Sequence, residues 1–281
     1  MQSIIKNDTE LRKYIPNVLA TVEGESTLYE KLSPFLETAE FWVSANFAPQ
    51  ALVYNQATSY GEQQTLLKQL IAYHAFMLAI PFLDLVLTPN GFGIVSNSNV
   101  APASKERVER LIASIETQRD NILEQYLRYT IMYCNDSYLN SAQGKYFFAT
   151  LFPNLDLCNR CGITEHRWSQ YQQLREKLLA IEHKLENEFF SKQQMDTFRK
   201  RILSWAYNKP QTLETTVIEA IRNLEVSLLT GSEIHPQTAR DIVNIMRNEP
   251  HLFSDWANSD TAKLFAPGLF INKKSSAGYW F

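Results

Sequence analysis

Residues 82–115 read FLDLVLTPNGFGIVSNSNVAPASKERVERLIASI, and the way this stretch divides decides the fold. Leu85, Val86 and Leu87 lead into Pro89-Asn90-Gly91, and Phe92, Ile94 and Val95 lead out. Proline fixes φ and Asn-Gly tolerates positive φ, so the spacing predicts a tight β-hairpin near 84–96. Pro102 and Ser104 then open a helix whose apolar positions Val108, Leu111, Ile112 and Ile115 recur at helical spacing. An apolar helix over 66–80 enters the unit. Two isolated strands are marginal in water, so the hairpin needs a partner in this chain or in another subunit. Pro89, Asn90, Gly91 and Phe92 are therefore candidate protein-contact residues, and the stretch points to assembly rather than catalysis.

Working outward, Thr27-x-x-Glu30 has capping-box spacing. It opens a helix with an apolar stripe from Leu28 to Val43, in which Pro34 predicts a kink or a later start. The 66–80 helix is apolar nearly all round and therefore central, and Pro81 should end or kink it. The helix from Ser104 should continue to about Tyr133. Further helices are expected over roughly 168–189, from Ser191 to 205–207, over 212–229 ended by Gly231, and over 236–247. From Phe265 the sequence FAPGLFINKKSSAGYWF loses all periodicity and reads as an extended arm.

The same plan is read twice along the chain. Tyr29, Leu32, Leu36, Ala39, Glu40, Val43 and Phe47 match Tyr171, Leu174, Leu178, Ile181, Glu182, Leu185 and Phe189 at a constant offset. Ahead of them Ile15-Pro16-Asn17 matches Phe152-Pro153-Asn154, which assigns extra connector residues to the second copy. The fold class expected is thus mainly α, two related helical halves with a hairpin on the first. Residues 1–140 form repeat 1, 141–264 repeat 2 and 265–281 an extended C-terminal arm.

The 281-residue chain is 45% hydrophobic and 20% charged with a net charge of −3, a globular composition without the basic block that specific nucleic-acid binding needs. Its most membrane-like window, 70–87, is broken by His74, Pro81 and Asp84, so it reads as a buried helix and strand in a soluble protein. The first residues hold no apolar core of signal-peptide length. Three cysteines give no disulfide framework and suit an intracellular setting.

Cys158-x2-Cys161-x4-His166 is the single metal-like spacing, with Cys134 as a distant fourth ligand. No second pair stands beside it, so reduced thiols are expected, with a structural zinc as the alternative. His74 lies in an apolar helix and reads as a core histidine, and Asp84 as a strand-start residue bonded to backbone amides. Glu40 and Glu182 share a repeat position, which favours a structural role. No nucleophile elbow, zincin or Walker pattern occurs. No catalytic residue, cofactor or metal is therefore expected. The arm's aromatics, Phe270, Tyr279, Trp280 and Phe281, are further contact candidates, suited to entering pockets on a neighbour or on the chain's own body.

The run DLVLTPNGFGIVSNSNVAPASKERVERL, with the ending FINKKSSAGYWF, resembles an uncharacterised family of tailed-phage and prophage structural modules. The helix order more loosely resembles head-to-tail connector (adaptor) proteins. The resemblance implies a virion structural protein and not an enzyme: a connector or neck adaptor, possible as a ring homo-oligomer, with portal, neck or tail subunits as partners. It would be found in the bacterial host cytoplasm during assembly and then in the virion, with no specific nucleic acid and no membrane. The rival readings are an intracellular enzyme or nucleotide-binding protein with a site between the halves, and a host regulatory binding module.

Overall fold

A computed structural model describes residues 3–15, 26–49, 61–83, 85–89, 91–94, 104–133, 136–204 and 209–266. Its first half is organised by three long antiparallel helices. Leu28–Asn46 (α2) follows a one-turn helix, Asp8–Leu11 (α1); Gly61–Leu83 (α3) and Lys105–Met132 (α4) complete the layer. The capping box forms: Glu30 N–H donates to Thr27 Oγ1 at 3.1 Å, and Thr27 N–H to Glu30 Oε2 at 2.8 Å. Leu32, Leu36, Ala39 and Val43 are fully or almost fully buried on one face of α2. Pro34 sits inside α2 without breaking it.

α3 is long and apolar enough to cross a membrane, but in this fold it is the middle helix, buried between its two neighbours. Pro81 does not end it. The helix runs two residues further, although Pro81 cannot donate the N–H that would bond Met77 O. The antiparallel registers are fixed by specific contacts. Phe35 lies against Phe82 with centroids 5.5 Å apart, Trp42 stacks on His74 at 3.9 Å, and Gln63 Nε2 donates to Thr130 Oγ1 at 3.3 Å. Arg119 is set over the Trp42 ring and donates to Met77 Sδ at 3.5 Å.

The hairpin-bearing fold class needs correction. About three quarters of the described residues are helical, and no sheet layer exists among them. Leu85–Thr88 (β1) and Gly91–Ile94 (β2) form one short antiparallel ladder, with Leu85 opposite Ile94 and Thr88 opposite Gly91. They pair with no third strand among the described residues. A four-residue ribbon between helices supplies no core of its own. The architecture is therefore helical, and the three-helix layer, not the hairpin, is what organises it.

After α4 come two short helices, Asp136–Asn140 (α5) and Ala142–Phe147 (α6), then Asp156–Arg160 (α7) and Arg167–Leu185 (α8). A π-helical turn, Glu186–Phe190, extends α8. Ser191, at φ +59, turns the chain into Lys192–Ser204 (α9). Leu213–Thr230 (α10) ends at Gly231 in the left-handed conformation. Thr238–Asn248 (α11), Ser254–Ala257 (α12) and Asp260–Lys263 (α13) complete the described chain. Phe265 lies in a turn: its N–H bonds Ala262 O at 3.1 Å, and its ring lies 6.1 Å from that of Phe189 and 6.3 Å from that of Trp256. The rest of the extended arm expected over 265–281, residues 267–281, lies outside the described residues.

The two expected halves are corrected in their leading segments. The second half carries α9, and the π turn that precedes it was not read from the sequence. The leading segments match in a different register. Glu40 and Glu182, 3% and 1% exposed, each accept a backbone N–H at 2.7 Å, from Ile4 and from Leu151. Ile5 N–H bonds Ser3 Oγ at 3.2 Å, as Phe152 N–H bonds Thr150 Oγ1 at 3.3 Å. Asp8 pairs with Arg12, as Asp156 pairs with Arg160. The segment equivalent to 150–160 is thus 3–12, not Ile15-Pro16-Asn17. Because 28 residues separate Arg12 from Glu40 and 22 separate Arg160 from Glu182, the longer connector belongs to the first half. One continuous apolar core runs through both halves.

Candidate functional site

The three-helix layer is uneven at one end. Taking the Met77–Arg119 contact as the common level, α3 ends six residues on, at Leu83. α4 extends back fourteen residues, to Lys105. At 1.5 Å per residue, α4 overshoots its neighbour by about 12 Å. The first buried residue of α4 is Ile115. In the projecting turns Val108 and Ile112 are half-buried and Leu111 is 43% exposed, making an apolar stripe at helical spacing that lies outside the core formed by the described residues. Phe82 and Leu83 at the end of α3 are 64% and 38% exposed, and β1 begins there. Lys105, Glu106, Arg107, Glu109 and Arg110 cover the outer faces. The projecting turns of α4 thus carry apolar side chains among charged ones, and the two-stranded ribbon follows from the end of α3. Exposed apolar stripes of this kind mark contact surfaces.

Of the contact residues read from sequence, Pro89 is exposed at the hairpin tip, and Gly91 and Phe92 begin β2. Asn90 lies outside the described residues, as do Phe270, Tyr279, Trp280 and Phe281. Phe82, Leu83 and Leu111 were not singled out from sequence, although the helical spacing of Leu111 with Val108 and Ile112 was legible.

Residues 9–147 match the model of a family of unknown function (DUF6712). That span covers most of α1, the three-helix layer, the hairpin and the two short helices after α4, just under half of the chain. No curated protein and no solved structure matches.

The cysteine region is built differently from a ligand set. Cys158 is buried, and its thiol donates to Arg167 O at 3.2 Å. Burial, reinforced by nearby Cys161, pushes the Cys158 thiol up to about 12 and keeps it protonated. Cys161 is half-exposed and free. His166, at φ +49, faces α4, where its Nδ1 lies 2.6 Å from Glu116 Oε2. No cluster of three metal-ligating side chains occurs among the described residues, and Cys134 lies outside them.

What this region does is join the halves. Arg167 donates to Glu124 Oε2 at 2.6 Å and to Asn121 at 2.8 Å. Asp120, 1% exposed, accepts Trp168 N–H at 3.1 Å while paired with Arg119 at 2.7 Å. The Trp168 ring meets Phe47 edge-on at 4.6 Å. The cysteine loop is thus the base of a polar clamp on α4.

A cavity of about 410 Å³ does lie between the halves, lined by Arg128, Asn154, Asp156, Ile202 and Arg222 among others. Its charges are paired with one another. Arg222 bonds Asp156 and Glu219, each at 2.8 Å, and Arg128 bonds Glu124 at 2.8 Å. Burial works to raise Glu219, but Lys209, Arg222 and Arg160 outweigh it and hold the carboxyl at about 2. Each guanidinium facing this cavity holds a carboxylate, while Arg222 Nε is buried without a hydrogen-bond partner among the described residues. His74, buried against Trp42 and near Arg119, is held down at about 3 by burial first and that cation second, so it is neutral.

Sequence reading missed Glu225. It lies on α10 with 0% exposure, and neither carboxylate oxygen has a hydrogen-bond partner. Burial, then the neighbouring Glu182, raise it well above the ordinary carboxylate range; Arg222 and Arg199 oppose this only in part. Arg199 is itself occupied by Glu182, Glu186 and Asp196.

Proposed function

We propose that this chain is a phage or prophage virion structural protein, a head-to-tail connector or neck adaptor that works through subunit contacts and carries out no catalysis. The observation supporting the reading is the projecting end of α4. About two turns of amphipathic helix reach past the end of α3, with Leu111 exposed and Val108 and Ile112 half-buried, and Phe82 and Leu83 are exposed where α3 ends. The proposed first partner is another copy of the chain, arranged in a closed ring. Heterologous contacts close into rings when the rotation between copies allows it, and the hairpin edges offer strands for augmentation. Portal, neck or tail subunits are the proposed partners above and below, met in the bacterial host cytoplasm and kept in the virion.

Pairing of the charged groups around the inter-half cavity supports this reading over a nucleotide-binding one, because Asp156, Glu219 and Glu124 offset the positive charge that a phosphate would need there. Native mass spectrometry at micromolar concentration tests the proposal. One closed stoichiometry, alone or with the portal subunit added, is the expected result. A monomer under both conditions overturns it.

A further inference from the structure

The second half carries an apolar groove of about 440 Å³ between α8, the π turn, α10 and the turn into α11. Ile181, Phe189, Leu228 and Ile234 line it, and Leu228 is 42% exposed. Lys184 and Glu188, four residues apart, stand on the wall that α8 and the π turn supply. The groove is concave and apolar, whereas the projecting end of α4 is convex and carries exposed Leu111. Because Leu111 and Leu228 are both exposed in one molecule, the end of α4 does not fill the groove of its own copy.

We propose that the projecting end of α4 of one copy docks in this groove on the next copy, with Val108, Leu111 and Ile112 as the inserted side chains. The inference rests on the assembly reading and names the two patches that meet. A ring of head-to-tail contacts needs two different surfaces on each copy. The α4 end on the first half and the groove on the second are two apolar patches of opposite shape. An amphipathic helix laid in an apolar groove, anchored at i, i+3 and i+4, is a recurrent mode of recognition, and Val108, Leu111 and Ile112 have that spacing. Charge sets the direction. Lys105 and Glu109 lie 3.7 Å apart in an exposed pair on one flank of the stripe. This pair and the Lys184–Glu188 pair each step four residues, about 6 Å along a helix. An α4 end laid antiparallel to α8 therefore brings Lys105 to Glu188 and Glu109 to Lys184, whereas a parallel one sets like charges together. Two turns of helix offer fewer than the roughly 20–30 residues a side of a standard interface. A closed ring compensates, because every copy then makes two such contacts at once.

Cysteine pairing in the full-length chain tests it. Leu111→Cys with Leu228→Cys is oxidised mildly, alone and with the portal subunit added, in a mixture of isotope-labelled and unlabelled chains, and the bridged peptides are mapped by mass. A 111–228 bridge between differently labelled chains should form about tenfold or more faster than the bridge in a Leu111→Cys/Leu252→Cys control, because a docked pair is held at high effective concentration. Leu252 is exposed and does not line the groove. Leu228→Glu, which would place a carboxylate in the docked contact, should weaken self-association at least about tenfold. A 111–228 bridge within one chain, or a rate equal to the control, overturns the inference. Bridges confined to 111–111 pairs, or a Leu228→Glu variant that assembles as the wild type does, overturn it while the assembly reading stands. A wild type that stays monomeric with and without the portal subunit overturns both together.

Discussion

Replacing Glu225 by glutamine should make the protein more stable, and increasingly so as the pH rises. The carboxyl is fully enclosed on α10 with both oxygens unbonded, so its ionised form would lose hydration without recovering it in hydrogen bonds. Its raised position means that the folded state keeps the proton while the unfolded chain releases it above an ordinary value of about 4.3. The sign follows from linkage. Stability from this group is complete below the unfolded value and drains away as pH rises toward the folded one, at about 1.4 kcal/mol per pH unit. Glutamine has the same shape and does not titrate.

The stability difference between E225Q and the wild type should therefore widen as the pH rises above the unfolded value, at up to about 1.4 kcal/mol per pH unit for as long as the folded carboxyl keeps its proton. Urea unfolding at three pH values, with slopes compared to confirm like transitions, measures it. Other titrating groups largely cancel in the difference. A gap that does not change with pH would falsify the argument, because it would mean that Glu225 is ionised in the fold and neutralised by Arg199 and Arg222.

Two further predictions concern the core and the cysteines. A Cβ on Gly144 would fall 2.0 Å from Tyr138 O, a backbone atom that cannot swing aside. Gly144→Ala should thus cost about 3 kcal/mol or prevent folding, read by thermal melting; a loss within experimental error means that the α5–α6 turn is far more pliant than its geometry. Cys158 should resist alkylation at neutral pH while Cys161 reacts, because only Cys158 is both buried and donating its thiol proton to Arg167 O. Peptide mapping of a time course reads this, and equal rates would show that the loop opens.

Local signals with a physical mechanism were legible in the sequence. Thr27 and Glu30 announced the start of α2 through reciprocal capping, and Ser104 and Tyr133 bracket α4 as its apolar spacing required. Pro81 does not end α3, so of the expected end or kink the end is overturned, and the helix continues although Met77 O lacks the N–H that a residue other than proline would supply. The register of the leading segments misled. The Ile-Pro-Asn and Phe-Pro-Asn tripeptides look alike, whereas the real correspondence rests on Asp8 and Arg12 against Asp156 and Arg160, a four-residue spacing with little sequence identity around it.

The hairpin drew attention because turn chemistry is conspicuous, yet a ribbon of two short strands cannot organise a core that three long helices already fill. Glu225 had a readable signal, since it lies four residues after Ile221 and seven after Ile218, on the buried face of α10. The projecting end of α4 could not be read from spacing alone, because its length relative to α3 emerges only when Met77 and Arg119 are brought together.

The most direct test of the assembly account is sedimentation velocity on the full chain beside its Leu111→Glu and Phe82→Glu variants. Leu111→Glu should shift stability by about 0.5 kcal/mol or less, and Phe82→Glu by more, because the Phe82 ring also packs on Phe35. The account predicts a wild-type oligomer that both variants reduce to folded monomers, with the melting temperature nearly unchanged in Leu111→Glu. Variants that sediment with the wild-type oligomer, or a wild type that is itself monomeric with its portal partner present, would contradict it.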